Sequence, residues 1–397
     1  MRIAELSTRY PPGPGGVERH VGEVARRLAA RGESVGAFST DLYREFPWQR
    51  LEPSVPRRET VDGVGIRRLR AWTLPGELHY PFFRGLPAAL REFDPEILHV
   101  HTYGTHHATV ARRYRRGRGT PYVLTAHFHP IWSIHGGWLR HRIRGFYDRR
   151  LAGAVLRDAS AVVVQTREEH RLLEQLGLPL PRVELVPPGY SPLPPPRPGG
   201  PTFAERWGIP GPFVLFVGRL ASNKGLLELV EAFRILASEE PEATLVLVGE
   251  DGGMRTVVEE RVRALGLAPR VRITGFIADE ELLAAGFREA RIFALPSEYE
   301  AFGLVLLEAL AQSTAVVATA VGGMPEVLEG GRAGRLVPPG DIPALARAFT
   351  ELYRDGTERT RLGEFGRREV VPRYDWESVV TRLQTIFREV VGARRTT

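Results

Sequence analysis

The sequence contains no cysteine, a single lysine and no long hydrophobic run. Without cysteine the chain can form no disulfide, zinc ribbon or thiolate-bound cluster, and it has no thiol nucleophile. No segment approaches the roughly 20 apolar residues that span a bilayer as a helix. Residues 1–6 are too few and too polar for a secretory signal peptide and predict a strand instead. We therefore expect a cytoplasmic protein.

Charge is divided unevenly along the chain. The net charge of +7 comprises +11 in residues 1–200 and −4 in the remainder, and all 11 histidines lie in the first half. Arginine supplies every basic side chain except Lys224. A basic half can attract an anionic substrate, an acidic membrane surface or a nucleic acid, or it can reflect a general preference for arginine.

Short apolar segments alternate with amphipathic segments in both halves. The pattern predicts strands at 2–6, 34–39, 97–100, 122–125, 161–164, 213–217, 244–248, 271–274, 291–294 and 315–318. It predicts helices at 17–30, 143–156, 226–237, 254–264, 279–285, 304–311, 342–354 and 376–391. Strands that alternate with helices indicate parallel sheets, so we expect two Rossmann-like α/β domains. Ligands bind such sheets at the carboxyl ends of the strands.

Ten prolines between Pro187 and Pro212 mark a boundary between the halves. Proline removes a backbone donor and fixes φ, so we expect neither a helix nor a central strand here but a stiff, extended connector. The predicted division is an N-terminal domain over 1–190, a linker over 191–212 and a C-terminal domain over 213–375.

The loop after the first strand of each half has features of a phosphate site. Glycines at 13–16 precede a helix, where backbone N–H groups can approach an anion. They match neither GxGxxG nor Walker A spacing, and an ordinary Gly/Pro turn is the alternative. Residues 218–225 carry Arg219 and Lys224, a fork and a point charge that suit a diphosphate leaving group. A solvated basic loop is the alternative there.

Two further strand ends carry weaker signals. Gly249 either approaches a nucleotide or only turns the chain. Beyond the next strand, Phe276 and Ile277 offer a surface on which a base could lie.

The segment 296–308 contains two glutamates around a predicted helix start. Glu300 should lie in a loop after a buried strand, and Glu308 in the helix that begins at Phe302–Leu304. One carboxylate can accept from hydroxyls of one sugar and the other from hydroxyls of a second, as an acidic side chain does with ribose in dinucleotide sites. An exposed helix position is the alternative for Glu308.

Six histidines lie near two predicted strand ends: His99, His101, His106, His107, His127 and His129. His-x-His spacing on a strand places His99 and His101 on one face, a spacing that zinc hydrolases use. No acidic residue lies between Glu96 and Asp148 to complete such a site nearby, so we expect no metal.

Residues 136–156 form a predicted basic, aromatic helix, and five arginines between Arg112 and Arg118 add to the positive charge of the first domain. Such a helix can lie on anionic lipid, or it can bury its apolar stripe on the sheet with its arginines in solvent. We expect the second, with peripheral contact to the inner face of a membrane as the alternative. No nucleic-acid-binding motif accompanies the charge, so we expect no nucleic acid partner.

Several of these motifs combine in one family. The sequence resembles the retaining GT-B glycosyltransferases of family 4 in Gly15–His20, Gly218–Arg219, Asn223–Gly225, Glu300-x7-Glu308 and Gly322–Glu326. The resemblance covers essentially the whole chain. It implies two Rossmann-like domains facing each other across a cleft, the first binding the acceptor and the second the nucleotide-sugar donor. It also implies that a C-terminal helix, 376–397, crosses back to the first domain.

The resemblance implies a role for each matching residue. Arg219 and Lys224 would hold the donor diphosphate and, with His127 and Glu300, form the catalytic set, His127 facing the transferred sugar. The residues expected to bind the donor are Gly16, Gly218, Arg219, Lys224, Gly249, Phe276, Ile277, Glu300, Ala301, Phe302, Gly303, Leu304 and Glu308. The residues expected on the acceptor side are His20, His101 and His129, for which structural roles are the alternative. Ala301 stands where the family often has glycine.

The implied activity is retaining transfer of a hexose of the mannose, glucose or N-acetylglucosamine class. The donor would be a UDP or GDP sugar, and the acceptor a hydroxyl of a glycan, a lipid-linked sugar or a small polyol. No metal and no cofactor beyond the donor are expected. Two alternatives are a GT-B nucleotide-sugar epimerase or phosphorylase and a non-enzymatic, basic membrane-binding protein.

Overall fold

The computed structural model describes residues 1–45, 48–72, 81–128, 142, 152–195, 199 and 202–395. The chain forms two compact units, one from residues 1–189 with the segment that begins at 376, the other from residues 190–375. The acceptor and donor functions expected of these two parts remain predictions.

The first unit is built on a parallel sheet. In chain order its strands are β1 (Arg2–Leu6), β2 (Ser34–Thr40), β3 (Leu42–Arg44), β4 (Gln49–Arg50), β5 (Arg58–Val61), β6 (Val64–Leu69), β7 (Ala71–Trp72), β8 (Phe82–Phe83), β9 (Ile97–His101), β10 (Tyr122–Thr125), β11 (Ala161–Val164) and β12 (Val183–Leu185). Within the described residues the sheet has the order β12-β11-β10-β9-β1-β2-β6-β5, and only β5 runs antiparallel to its neighbour. The pairs β3–β4 and β7–β8 form separate antiparallel ribbons.

Helices cover this sheet. They are α1 (Gly16–Ala30), α2 (Leu86–Phe93), α3 (His106–Arg118), α4 (Gly153–Asp158) and α5 (Arg167–Glu174). The apolar residues of α1 recur at helical spacing, so Val21, Val24 and Leu28 all point into the core.

The second unit is built on a second parallel sheet. Its strands are β13 (Phe213–Val217), β14 (Thr244–Val248), β15 (Val271–Gly275), β16 (Ile292–Leu295), β17 (Val316–Thr319) and β18 (Arg335–Val337), in the order β15-β14-β13-β16-β17-β18. Its helices are α6 (Phe203–Trp207), α7 (Leu226–Glu239), α8 (Arg255–Ala264), α9 (Glu280–Glu289), α10 (Leu304–Ala311), α11 (Met324–Val327), α12 (Ile342–Arg354) and α13 (Gly356–Phe365). All ten strands predicted from the sequence are present, each within one residue at either end.

The last helix, α14 (Trp376–Arg395), belongs to the first unit, as expected. Its apolar side, including Leu383 and Phe387, lies in the core beneath the first sheet. Arg31 at the end of α1 donates hydrogen bonds to Glu377 and Thr381 on this helix. The helix is therefore an integral part of the first unit.

The linker prediction was wrong for residues 203–207, which form α6. Proline lies on either side of this segment but not within it, and Thr202 supplies a capping box. Its hydroxyl accepts from the Glu205 N–H, and the Glu205 carboxylate accepts from the Thr202 N–H at 2.8 Å. Two orphan donors at the helix start are thereby satisfied, which permits a short helix between prolines.

The basic arginines of α3 are largely engaged within the protein. Arg112 and Arg116 both pair with the carboxylate of Asp158, and Arg115 donates to the Asp158 carbonyl and to Ser160. The basic, aromatic segment 136–156 lies outside the described residues, apart from residue 142 and residues 152–156. In the described residues, two arginines of α3 are therefore neutralised in part by their ion pairs with Asp158.

Candidate functional site

The second sheet has a switch point between β13 and β16. These strands are neighbours although about 75 residues separate them, and the chain builds outward from them in opposite directions. The loop after β13, residues 218–225, and the loop after β16, residues 296–303, must therefore meet at the carboxyl edge of the sheet. Each contains one half of the site predicted from the sequence.

Lys224 and Glu300 form an ion pair at this switch point. Nζ of Lys224 lies 2.5 Å from Oε2 of Glu300, and the two side chains are only 16% and 21% exposed. The loops that carry them are joined by backbone, since the Glu298 N–H donates to the Asn223 carbonyl at 3.0 Å. The only lysine of the chain thus pairs with the glutamate predicted for catalysis.

A third loop supports Glu300 from β17. The Gly323 N–H donates to the Glu300 carbonyl at 3.1 Å. Gly322 has φ of 54°, and a Cβ there would overlap the same carbonyl oxygen. Glycine is therefore required at position 322, because the backbone there passes too close to the Glu300 carbonyl for any side chain.

Arg219 and Gly249 lie in adjoining loops after β13 and β14. A Cβ on Gly249 would overlap the Gly218 carbonyl, so glycine permits the two backbones to approach. The Leu220 N–H then donates to the Glu250 carbonyl at 2.8 Å. The side chain of Arg219 is exposed at this edge.

Phe276 and Ile277 differ sharply in exposure. The Phe276 side chain is 68% exposed, more than any other exposed large apolar side chain among the described residues, whereas Ile277 is buried in the core. An exposed ring at a strand end can stack on a planar ligand. Ile277 can offer little more than its backbone.

The start of α10 carries the remaining predicted donor residues. Gly303 caps the helix with φ of 85°, and Leu304 is its first residue. Phe302 is buried edge-to-face against Tyr374 at 5.3 Å between ring centroids. Ala301 and Glu308 are half-buried, with Glu308 one turn into the helix. The N–H groups of the first turn are directed out of the helix end, where they can hold an anion.

The first unit has its own glycine loop at the start of α1. Gly16 has open space where a Cβ would stand, whereas a Cβ on Gly15 would strike the Glu18 carboxylate. Arg9 pairs with Glu18 at 2.8 Å. Burial nevertheless raises the pKa of Glu18 to about 7, against the opposing effect of Arg9. The carboxyl at this helix start therefore titrates near neutral pH.

A carboxylate that the sequence reasoning missed completes the His-x-His motif. Glu5 on β1 is the register partner of His99 on β9, and its Oε2 lies 2.8 Å from Nε2 of His101. Nδ1 of His99 is also 2.8 Å from this oxygen, but off the line of a hydrogen bond. The three ligand atoms lie within 4.8 Å of one another, the spacing of a metal site. The expectation that no acid stands near the histidines was wrong, because the acid comes from the neighbouring strand.

His127 follows β10 in an unusual backbone conformation. Its φ of 41° is left-handed, which costs a non-glycine residue about 1–2 kcal/mol. The next N–H, of Phe128, donates to Oε1 of Glu169 at 2.7 Å and holds the turn. Nε2 of His127 lies 3.5 Å from Nδ1 of His101, and the His20 ring is edge-on to both.

Two of the three histidines predicted for the acceptor side, His20 and His101, lie in the part of the chain that the structure describes. His101 has no exposed surface, so it can only act on an acceptor through another residue. His20 is also largely buried, with its ring 5.5 Å from that of Trp376. His129 lies outside the described residues. The acceptor-side role of these histidines stays a prediction.

The other two histidines of the predicted group, His106 and His107, lie at the start of α3. The Phe83 N–H donates to Nδ1 of His106, and Nε2 of His107 lies 2.6 Å from the His101 carbonyl. Burial lowers the pKa of His107 to about 4, so its ring is neutral.

None of the helices that the structure describes has the length and apolarity needed to cross a bilayer.

Comparison with known proteins agrees with this architecture. Residues 203–369 match the family described as Glycosyl transferases group 1, and residues 15–189 match the Glycosyl transferase 4-like domain. A D-inositol 3-phosphate glycosyltransferase of Acidothermus cellulolyticus is 32% identical over 96% of this chain and 87% of that protein. Mannosylfructose-phosphate synthase of Agrobacterium fabrum is 28% identical over 96% of this chain and 90% of its own.

A solved structure extends the agreement to the fold. Sucrose-phosphate synthase from Thermosynechococcus elongatus is similar to this chain with a TM-score of 0.81 and 26% identity, and the alignment covers 99% of both chains. With two parallel α/β sheets and matched domains in both halves, the chain belongs to the group 1 glycosyltransferases and has the GT-B fold.

Proposed function

We propose that the protein transfers a hexosyl group, with retention of configuration, from a nucleotide diphosphate sugar to a hydroxyl acceptor. The observation that carries the proposal is the Lys224–Glu300 pair at the switch point of the second sheet. A cation and a carboxylate are brought together there from two distant loops. Glu300 lies in the loop that leads into α10, and such an arrangement suits a ligand with both phosphate and hydroxyl groups.

The cations act on the leaving group. Lys224 is half-buried, and Arg219 in the same loop is exposed. When a diphosphate binds, Lys224 can exchange part of its contact with Glu300 for phosphate oxygens. Glu300 then accepts hydrogen bonds from hydroxyls of the transferred sugar. Lys224 and Arg219 stabilise the diphosphate charge that grows as the bond to the sugar breaks.

The chemical step needs no base from the protein. The bond from the anomeric carbon to the diphosphate oxygen breaks through an oxocarbenium-like transition state. The acceptor oxygen bonds to the same face of that carbon, and its proton passes to the departing diphosphate. Configuration is retained because the entering and leaving oxygens use one face. His127 contacts the transferred sugar, and no metal takes part.

The names of the relatives indicate which acceptors to try first. Those named above are a D-inositol 3-phosphate glycosyltransferase, a mannosylfructose-phosphate synthase and a sucrose-phosphate synthase. Each name contains a phosphorylated polyol or sugar. We therefore propose small phosphorylated polyols and sugars as the first acceptor set, with UDP and GDP hexoses as donors.

A ligand panel tests the donor site directly. Thermal unfolding is followed with UDP, GDP and their hexose conjugates, in the presence of EDTA. A ligand at 100 times its Kd stabilises the native state by about 2.7 kcal/mol. We expect such a shift with at least one nucleotide and its loss in Lys224→Ala.

Arg347→Ala is the matched control, because it removes an exposed cation from α12 of the same unit. It should keep the nucleotide shift. The sugar product formed with the active donor is then examined by NMR for its anomeric configuration. No shift with any nucleotide, or an equal loss in both variants, would contradict the proposal. An inverted product would refute retention alone.

A further inference from the structure

Five polar side chains meet beneath α1 and α14 on one face of the first sheet. We name this set the histidine cluster; its members are Glu5, His20, His99, His101 and His127. Glu5 and His99 are register partners on β1 and β9, and His101 shares their face because it lies two residues further along the strand. The face is covered, since the ring of Phe387 on α14 lies 5.0 Å from that of His99.

Protein contacts and not solvent decide where the protons of this cluster reside. Glu5, His99 and His101 have no exposed surface, and His20 and His127 are nearly buried. Burial holds the pKa values of His20 and His101 well below their ordinary range, and the neighbouring imidazoles lower them further. His101 is therefore a neutral ring with a proton on one nitrogen only.

Hydrogen-bond direction then follows from Glu5. A carboxylate can only accept, so Nε2 of His101, 2.8 Å from Oε2, must donate. A neutral ring protonated at Nε2 carries a lone pair at Nδ1. That nitrogen lies 3.5 Å from Nε2 of His127, at the outer limit of a hydrogen bond, so Nε2 of His127 is the donor.

The backbone around His127 is held independently of this chain of contacts. Its carboxyl neighbour Phe128 donates an N–H to Glu169, which also accepts from the Gln165 N–H at 2.6 Å. The turn can therefore persist when Glu5 is changed. What Glu5 decides is the protonation and orientation of the ring.

We propose that Glu5 is a positioning residue which, through His101, fixes the Nε2-protonated tautomer of His127. A neutral His127 in this tautomer donates from Nε2 toward the interior and can only accept at Nδ1. The inference rests on the proposed function insofar as His127 contacts the transferred sugar. It predicts that His127 interacts with a sugar hydroxyl as an acceptor.

A bound cation is the rival explanation of the same residues. Glu5, His99 and His101 have metal-ligand spacing, and Oε1 of Glu5 has no hydrogen-bond partner within the part of the chain that the structure describes. We call the hydrogen-bonded chain from Glu5 through His101 to His127 the relay. A cation would occupy Nε2 of His101 in place of its proton and abolish the relay. The 2.8 Å contact between these atoms already has the length of a direct hydrogen bond, which favours the proton.

Imidazole NMR on the full, substrate-free chain tests the relay. Long-range proton–nitrogen spectra of 15N-labelled protein identify the tautomer of each ring, and His127→Asn assigns the His127 signals. In the wild-type protein we expect His101 and His127 to be protonated at Nε2. In Glu5→Gln we expect His127 to lose this single tautomer. His101→Gln should have the same effect on His127 although Glu5 is unchanged. This second variant provides the test if Glu5→Gln does not fold.

Kinetics separate positioning from general damage. Glu5→Gln should lower kcat at least about tenfold with little change in the donor KM, since a wrong histidine tautomer can cost an enzyme several orders of magnitude. Glu33→Gln is the control, because Glu33 is a largely buried carboxylate of the same unit that pairs with the amino terminus and Gln384 instead of the histidine cluster. It should leave the tautomers and kcat unchanged.

Unaltered His127 signals in both Glu5→Gln and His101→Gln would overturn the inference. So would one equivalent of tightly bound zinc with His101 coordinated through Nε2. The spectra require no substrate, so the two proposals can fail separately. If the tautomers change as described but the protein turns over no donor, the proposed function is refuted and the inference about Glu5 stands.

Discussion

Replacing Gly322 by alanine should destabilise the second unit and displace Glu300. Gly322 has φ of 54°, and an L side chain in that region costs about 1–2 kcal/mol. Its Cβ would also lie more than about 1 Å inside the normal contact distance of the Glu300 carbonyl oxygen. Relief of such overlap in a packed region costs about 1–3 kcal/mol more. We therefore expect a total loss of roughly 2–5 kcal/mol.

Gly330→Ala isolates the backbone part of this effect. Gly330 has φ of 64°, nearly the same conformation, and nothing lies within 4 Å of its Cβ position. It should lose only about 1–2 kcal/mol. Urea unfolding of the two variants gives the difference, and titration with the nucleotide sugar shows whether donor affinity falls in Gly322→Ala alone. Equal stability losses, or unchanged donor affinity in Gly322→Ala, would refute the reasoning.

Two further predictions concern the ends of helices. Burial raises the pKa of Glu169 from 4.5 to about 7. The protonated carboxyl therefore contributes its full stabilisation below pH 4.5, and this contribution, about 3 kcal/mol, is lost as the pH rises through 7. Glu169→Gln should flatten this part of a plot of urea midpoint against pH, and an unchanged slope would contradict the shift. Thr202→Ala removes the hydroxyl of a capping box and should cost about 0.5–1 kcal/mol, since Glu289 still accepts from the N–H groups of Phe203 and Ala204. Thr202→Ser should be neutral in the same urea assay, and a loss as large as that of the alanine variant would show that the hydroxyl is not the cause.

The strands that position the site could be predicted because they are buried on both faces. A buried parallel strand is a continuous apolar run, so periodicity and turn residues locate it without knowledge of its neighbours. By contrast, β6 alternates buried and half-buried residues near the edge of its sheet and contains two arginines, and β12 is three residues long. Neither is a continuous apolar run of the kind that marks a buried parallel strand.

The residue types of the donor loops could also be predicted. Arg219, Lys224 and Glu300 stand directly after predicted strands, and parallel topology sends such residues to one edge. The direct contact between Lys224 and Glu300 was not predicted, because it depends on β13 and β16 being neighbours. Strand order in a sheet is a long-range property that no local pattern contains.

Glu5 shows the same limit in the first unit. The sequence did contain a signal for Glu5. Side chains alternate along a strand, so Glu5 lies on the same inward face of β1 as Ile3, where a charged residue is unusual. Its partners His99 and His101 are over 90 residues away. Only the pairing of β1 with β9 brings them together.

By itself, the sequence determined the α/β class, the buried strands and the residue types at their carboxyl ends, because these follow from side-chain hydrophobicity and local backbone preference. The tertiary structure decided which loops meet, where glycine is obligatory and which carboxylates face the histidines. Those outcomes depend on strand order, register and the close approach of distant backbones, and these arise only when the whole core packs.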